Sequence, residues 1–130
     1  MRISIENGKL YDPSNKLDDK QDLFIADGKI VAFKKKPEGF KSDIKIDAKD
    51  KIIIPGLVDL CARLREPGFE KKGTFKSELN AANSNGITSI CMPPDTAPIV
   101  DTPAVVEFIH QRARETNRAN IYPLGALTQE

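Results

Sequence analysis

Four polar side chains recur at every second position behind an apolar run. Ile52-Ile53-Ile54-Pro55-Gly56-Leu57-Val58 leads into Asp59, Cys61, Arg63 and Arg65, and Pro67-Gly68 closes the stretch. Side chains alternate along a strand, so these four would share one face, while Val58, Leu60, Ala62 and Leu64 would share the other. A carboxylate, a thiol and two guanidiniums on one face can bind an anion, hold a soft metal through the thiolate, or neutralise one another as ion pairs. Asp95 follows a second apolar run, Ile87 to Met92, and can reach the same place.

Each residue type restricts the chemistry. Arg63 has no lone pair to give and stays protonated, so it cannot ligate a metal and would repel a divalent cation. A charge pointing into a buried face must be paired, and Asp59 and Asp95 are the candidate partners. The alternative for Arg63 is anion binding. Cys61 as a thiolate is a possible zinc ligand. Its plainer reading is a small buried residue, because Cys is commonly buried as a small hydrophobe. Cys61 and Cys91 fall on neighbouring strands, which leaves a disulfide or a soft-metal site open. Arg65 can pair with Glu66 or Glu70. His110, the single histidine, falls within a helix and reads as a packed residue, not a base or ligand.

The elements that must position these groups change character at about residue 50. Residues 1–50 read as a small antiparallel β subdomain. Arg2 to Glu6 alternates, Asn7-Gly8 and Asp27-Gly28 are tight-turn signals, and Asp22 to Ala26, Lys29 to Phe33 and Ile44 to Asp47 read as strands. Residues 51–130 alternate strand-like and helix-like runs, the pattern of βαβ units on a parallel sheet. The first strand is the stretch from Ile52. Thr74 caps a helix whose buried stripe is Phe75, Leu79 and Ala82, and Asn85-Gly86 ends it. Ile87 to Met92 is the second strand. Thr102 and Pro103 open a second helix with Val105, Val106, Ile109 and Ala113 inward. Ala119 to Tyr122 is the third strand.

Composition excludes several classes of function. The 130 residues carry 20 basic and 19 acidic side chains, so no nucleic-acid or membrane surface is expected. Lys34-Lys35-Lys36, the one basic run, reads as a solvated hairpin end. No apolar segment has the length of a membrane span, and no signal peptide or phosphate-binding glycine loop occurs. Two cysteines do not make a secreted disulfide framework, so a reducing, cytoplasmic setting is expected.

The stretch Pro55 to Gly68 resembles the first barrel strand of the amidohydrolase superfamily, and most closely the dihydroorotase family. The family pattern there is Pro-Gly-Leu-Ile-Asp-x-His-x-His-Leu-Arg-Glu-Pro-Gly. Met92-Pro93-Pro94-Asp95-Thr96-Ala97-Pro98 is similar to the family's Met-Pro-Asn-Thr-x-Pro loop with one residue more. Asp101-Thr102-Pro103 and Tyr122 to Thr128 continue the likeness. The resemblance implies the amino-terminal part of a TIM-like α/β barrel preceded by a small β-sandwich subdomain. A complete barrel has eight βα units and this chain supplies at most three of its strands, so it is expected to be an amino-terminal piece. Cys61 and Arg63 then occupy the two positions of the metal-binding histidines. No metal is expected here, whereas active family members hold zinc. Arg65 and Asp95 stand at the substrate-carboxylate positions, where the family has arginine and asparagine. No catalytic residue is expected in this chain. The resemblance further implies a dihydroorotase-like protein of pyrimidine biosynthesis that has lost hydrolysis and scaffolds aspartate transcarbamoylase. The alternative is a working zinc amidohydrolase with altered ligands. Open strand edges lead us to expect association with a second copy or with the remainder of a barrel.

Overall fold

A computed structural model describes residues 1–128. The chain forms two compact units, Met1–Pro55 and Gly56–Glu130.

The first unit is built of short strands: β1 (Arg2–Glu6), β2 (Lys9–Asp12), β3 (Leu17–Lys20), β4 (Leu23–Ala26), β5 (Lys29–Phe33), β6 (Ile44–Asp47) and β7 (Ile52–Ile53). They make two sheets, in the orders β5-β4-β1-β6 and β3-β2-β7. The expected antiparallel pairings appear between β1 and β4 and between β4 and β5, but β1 with β6 and β2 with β7 are parallel. A parallel neighbour needs a long connection, which local turn signals do not reveal. β3 was not expected. Its sequence Leu17-Asp18-Asp19-Lys20 lacks the composition of a strand, and it forms because β2 presents its edge and Lys9 meets Asp18 at 2.6 Å.

In the second unit the strands are β8 (Leu57–Asp59), β9 (Ile87–Met92) and β10 (Asn120–Pro123), with helices α1 (Phe75–Ser84) and α2 (Pro103–Thr116). The sheet is parallel, in the order β10-β9-β8. Both helices begin where expected. Thr74 and Ser77 exchange bonds in a capping box, whereas Thr102 makes no side-chain cap and Pro103 alone sets the start of α2. Phe75 and Leu79 from α1, Ile109 and Ala113 from α2, and Ile90, Met92 and Ile121 from the sheet form one core with Leu64 and Val100.

The run from Ile52 is not one strand. Ile52–Ile53 pairs with β2 in the first unit, and β8 starts only at Leu57, after the break at Pro55-Gly56. Pro55 cannot donate to a ladder. Gly56 is needed because a Cβ there would run into Thr88. Leu57, Val58 and Leu60 are exposed, since β8 is an edge strand of this sheet among the described residues.

The candidate site at the ends of β8 and β9

Register decides which groups meet. Leu57 pairs with Ile87 while its N–H reaches the Gly86 carbonyl, and Lys9 pairs with Ile52 while its N–H reaches Lys51. In this sheet geometry an N–H therefore bonds the carbonyl one residue before its partner. Ala62 N–H donates to the Cys91 carbonyl at 3.1 Å, which sets Ala62 opposite Met92 and Cys61 opposite Cys91. Asp59 is opposite Ile90. The ladder ends at Asp59, its one register shift falls between Leu57 and Val58, and beyond it the Cys61 N–H is turned onto Asp59 Oδ1 at 2.9 Å.

Asp59 is paired with Ile90, a core residue, and Leu64 is buried in that core, whereas Cys61 and Arg63 are exposed. Arg63 pairs with Asp95 and not with Asp59: Nε donates to Asp95 Oδ2 at 2.6 Å. The pair is open to water, with Arg63 54% and Asp95 43% exposed. The hydrogen bond that Arg63 donates to Asp95, then the charge of Asp95, then that of Cys61 push the Arg63 pKa up from its usual value. Cys61 is exposed and Cys91 half-buried, so Cys61 does not fill space as a buried hydrophobe among the described residues.

Arg65 meets neither Asp95 nor Glu66 nor Glu70 in an ion pair among the described residues. It sits in the left-handed region, φ 69°, and its carbonyl accepts the Phe69 N–H at 2.9 Å. Glu70 instead accepts from the Gly68 N–H at 2.7 Å, which holds its carboxyl below the usual value. The Ala97 N–H donates to the Pro67 carbonyl at 3.1 Å, joining this loop to the one after β9. Gly68 has φ 96°, and a Cβ there would collide with the Ala97 carbonyl, so only glycine fits.

Glu66 is the residue that sequence reasoning missed. Read as a surface partner for Arg65, it is buried, 4% exposed. Its Oε2 accepts the Phe75 N–H at the start of α1 at 2.8 Å, and its Oε1 accepts from Arg112 Nε of α2 at 2.8 Å. Arg112 also holds Glu115, one turn on. The available signal was alternation: Glu66 is two residues beyond Leu64 and goes to the same side. Arg112 and Arg114 accordingly serve as ion-pair partners, Arg114 with Glu107 at 2.7 Å.

Arg63 cannot itself ligate a divalent metal. Arg63 gives no lone pair and its Nε is spent on Asp95. Among the described residues no group of three or more His, Cys, Asp and Glu side chains could hold an ion. His110 lines a separate cleft of about 470 Å³ with Thr88, Arg114, Asn117 and Arg118, at the amino ends of β9 and β10. Among the described residues no helix is long and apolar enough to cross a membrane.

Comparison with known proteins identifies the family. Residues 50–130 match the family described as Dihydro-orotase-like. The chain is 49% identical over 129 residues to a "Dihydroorotase-like protein" of Pseudomonas aeruginosa and 46% identical to one of Pseudomonas putida. It is 38% identical over 130 residues to a "Dihydroorotase" of Syntrophus aciditrophicus. Each match covers 99% of this chain, which spans 30% of the length of these relatives. Among solved structures, an L-hydantoinase (dihydropyrimidinase) from Arthrobacter aurescens superposes with a TM-score of 0.83 at 22% identity, over 95% of this chain and 27% of that one. A D-hydantoinase superposes with a TM-score of 0.68 at 26% identity, over 95% and 26%. The fold is thus that of amidohydrolase superfamily members, and the chain belongs to the dihydroorotase-like family.

Proposed function

We propose that this chain is part of a dihydroorotase-like protein of pyrimidine biosynthesis whose barrel mouth does not hydrolyse, and whose role is to scaffold aspartate transcarbamoylase. One observation carries the loss of hydrolysis: Arg63 stands at the second imidazole position and its Nε is bonded to Asp95. A fixed guanidinium supplies there the positive charge that a zinc ion would bring. It cannot activate water, because it has no coordination site and no proton to exchange near neutral pH. Asp95, at the position of the substrate-binding asparagine, is engaged by that same guanidinium. Two carboxylates, substrate and Asp95, would also repel without a cation between them.

The test uses the full-length protein. Elemental analysis should find substoichiometric zinc, and the absorbance of dihydroorotate should show no ring opening with or without added zinc. Co-purification with aspartate transcarbamoylase should recover a complex. One tightly held zinc per chain together with turnover would establish the altered-ligand amidohydrolase instead. Failure to associate with the transcarbamoylase at any concentration tested would remove the scaffold role.

A further inference from the structure

We propose that Cys61 and Cys91 are a redox-active dithiol pair that closes to an intramolecular disulfide across the ends of β8 and β9. This inference rests on the register and the two thiols, and it stands whether or not the protein scaffolds a partner.

The chain has two cysteines. Plain counting from the Asp59–Ile90 pair would set Leu60, not Cys61, beside Cys91. Beyond the end of that ladder the Ala62 N–H donates to the Cys91 carbonyl at 3.1 Å, which brings the Cys61–Ala62 backbone alongside Cys91. Neighbouring strands lie about 4.7–4.9 Å apart. That spacing falls inside the roughly 4.4–6.8 Å Cα separation that a disulfide spans. Both thiols are free in the structure, Cys61 exposed and Cys91 half-buried. A dissolved reagent therefore reaches Cys61 first. Arg63, two residues on, supplies a cation on the same side as Cys61.

The chemistry is thiol–disulfide exchange with a low-molecular-weight disulfide such as oxidised glutathione. The Cys61 thiolate attacks one glutathione sulfur, forms a mixed disulfide and expels a glutathione thiolate. The Cys91 thiolate then attacks the Cys61 sulfur and expels the second glutathione thiolate. The protein gives up two electrons and two protons, and oxidised glutathione becomes two molecules of the thiol. The product links covalently the same two strand ends that Arg63 and Asp95 link by charge.

The test is alkylation and peptide mapping of the full-length protein after incubation with oxidised glutathione, native and in urea. The native wild-type protein should yield a joined Cys61–Cys91 peptide and lose alkylation at both positions. Cys91→Ser should stop at the Cys61–glutathione mixed disulfide. In urea the joined peptide should fall severalfold, because strand register no longer holds the thiols together. Three results would each overturn the proposal: both thiols staying alkylatable in the native protein, a mixed disulfide at Cys61 of the native wild type with no joined peptide, or joined peptide as abundant in urea as in buffer.

Discussion

One loop of this protein carries two arginine–carboxylate pairs that differ in what surrounds them. At its base, Glu66 is buried and ties the start of α1 to Arg112 of α2. At its outer end, Arg63 reaches across to Asp95 with both partners about half exposed. The distances are similar, 2.8 and 2.6 Å, yet the energetic consequences differ. A buried carboxylate has no water to replace a lost partner, so its bonds are obligatory. An exposed pair trades water for its partner nearly evenly and is screened by salt. The base pair therefore ties loop to helices, whereas the outer pair fixes charge and orientation at the ends of β8 and β9.

The comparison predicts an order of effects. Gly68→Ala should be the most damaging, because it strains the loop that carries both pairs. The left-handed backbone alone costs about 1–3 kcal/mol, and the collision with the Ala97 carbonyl adds to it. A thermal melt of the variant checks this, and an unchanged melting temperature would show that the loop is not held by that contact. Glu66→Ala comes next. It strands the Phe75 N–H in the core, a loss of about 1–3 kcal/mol. Glu66→Gln should recover part of it, since an amide oxygen can still accept that N–H. Denaturant midpoints for the two variants compare them directly.

Arg63→Ala should move the denaturant midpoint less than either, and added salt should shrink the difference further. A loss as large as that of Glu66→Ala would place Arg63 in a buried setting and erase the contrast. The smallest effect concerns Asp47 in the first unit. The Asn7 side chain donates to its Oδ1 at 2.9 Å, followed by the Lys49 N–H at 3.0 Å, and both hold its carboxyl below the usual value. A depressed carboxyl contributes stability above its unfolded-state pKa, which fades as pH falls through the lower folded value. Asn7→Ala should raise the Asp47 pKa toward the ordinary aspartate value, read by carboxyl NMR titration. An unchanged titration would assign the depression to the Lys49 N–H alone.

Local signals alone determined much of this protein. Thr74 before the Phe75–Leu79 stripe, Pro103 at the start of α2, and the apolar run Ile87 to Met92 dictate elements whose information lies within a few residues. The resemblance in Pro55 to Gly68 likewise rested on contiguous residues, and it led to the family. What only tertiary structure decided is pairing at a distance. Beyond the end of β8 the Asp59 carboxylate is taken by the Cys61 N–H, Arg63 reaches Asp95 on the loop after β9, and the Ala62 N–H reaches the Cys91 carbonyl. Strand alternation assumes an unbroken ladder, and this chain leaves the ladder after Asp59, so alternation no longer dictates which groups meet. The burial of Glu66 was hidden for the same kind of reason. Its partners, the Phe75 N–H and Arg112, lie 9 and 46 residues along the chain, and only packing of α1 and α2 on one sheet brings them to a single carboxylate.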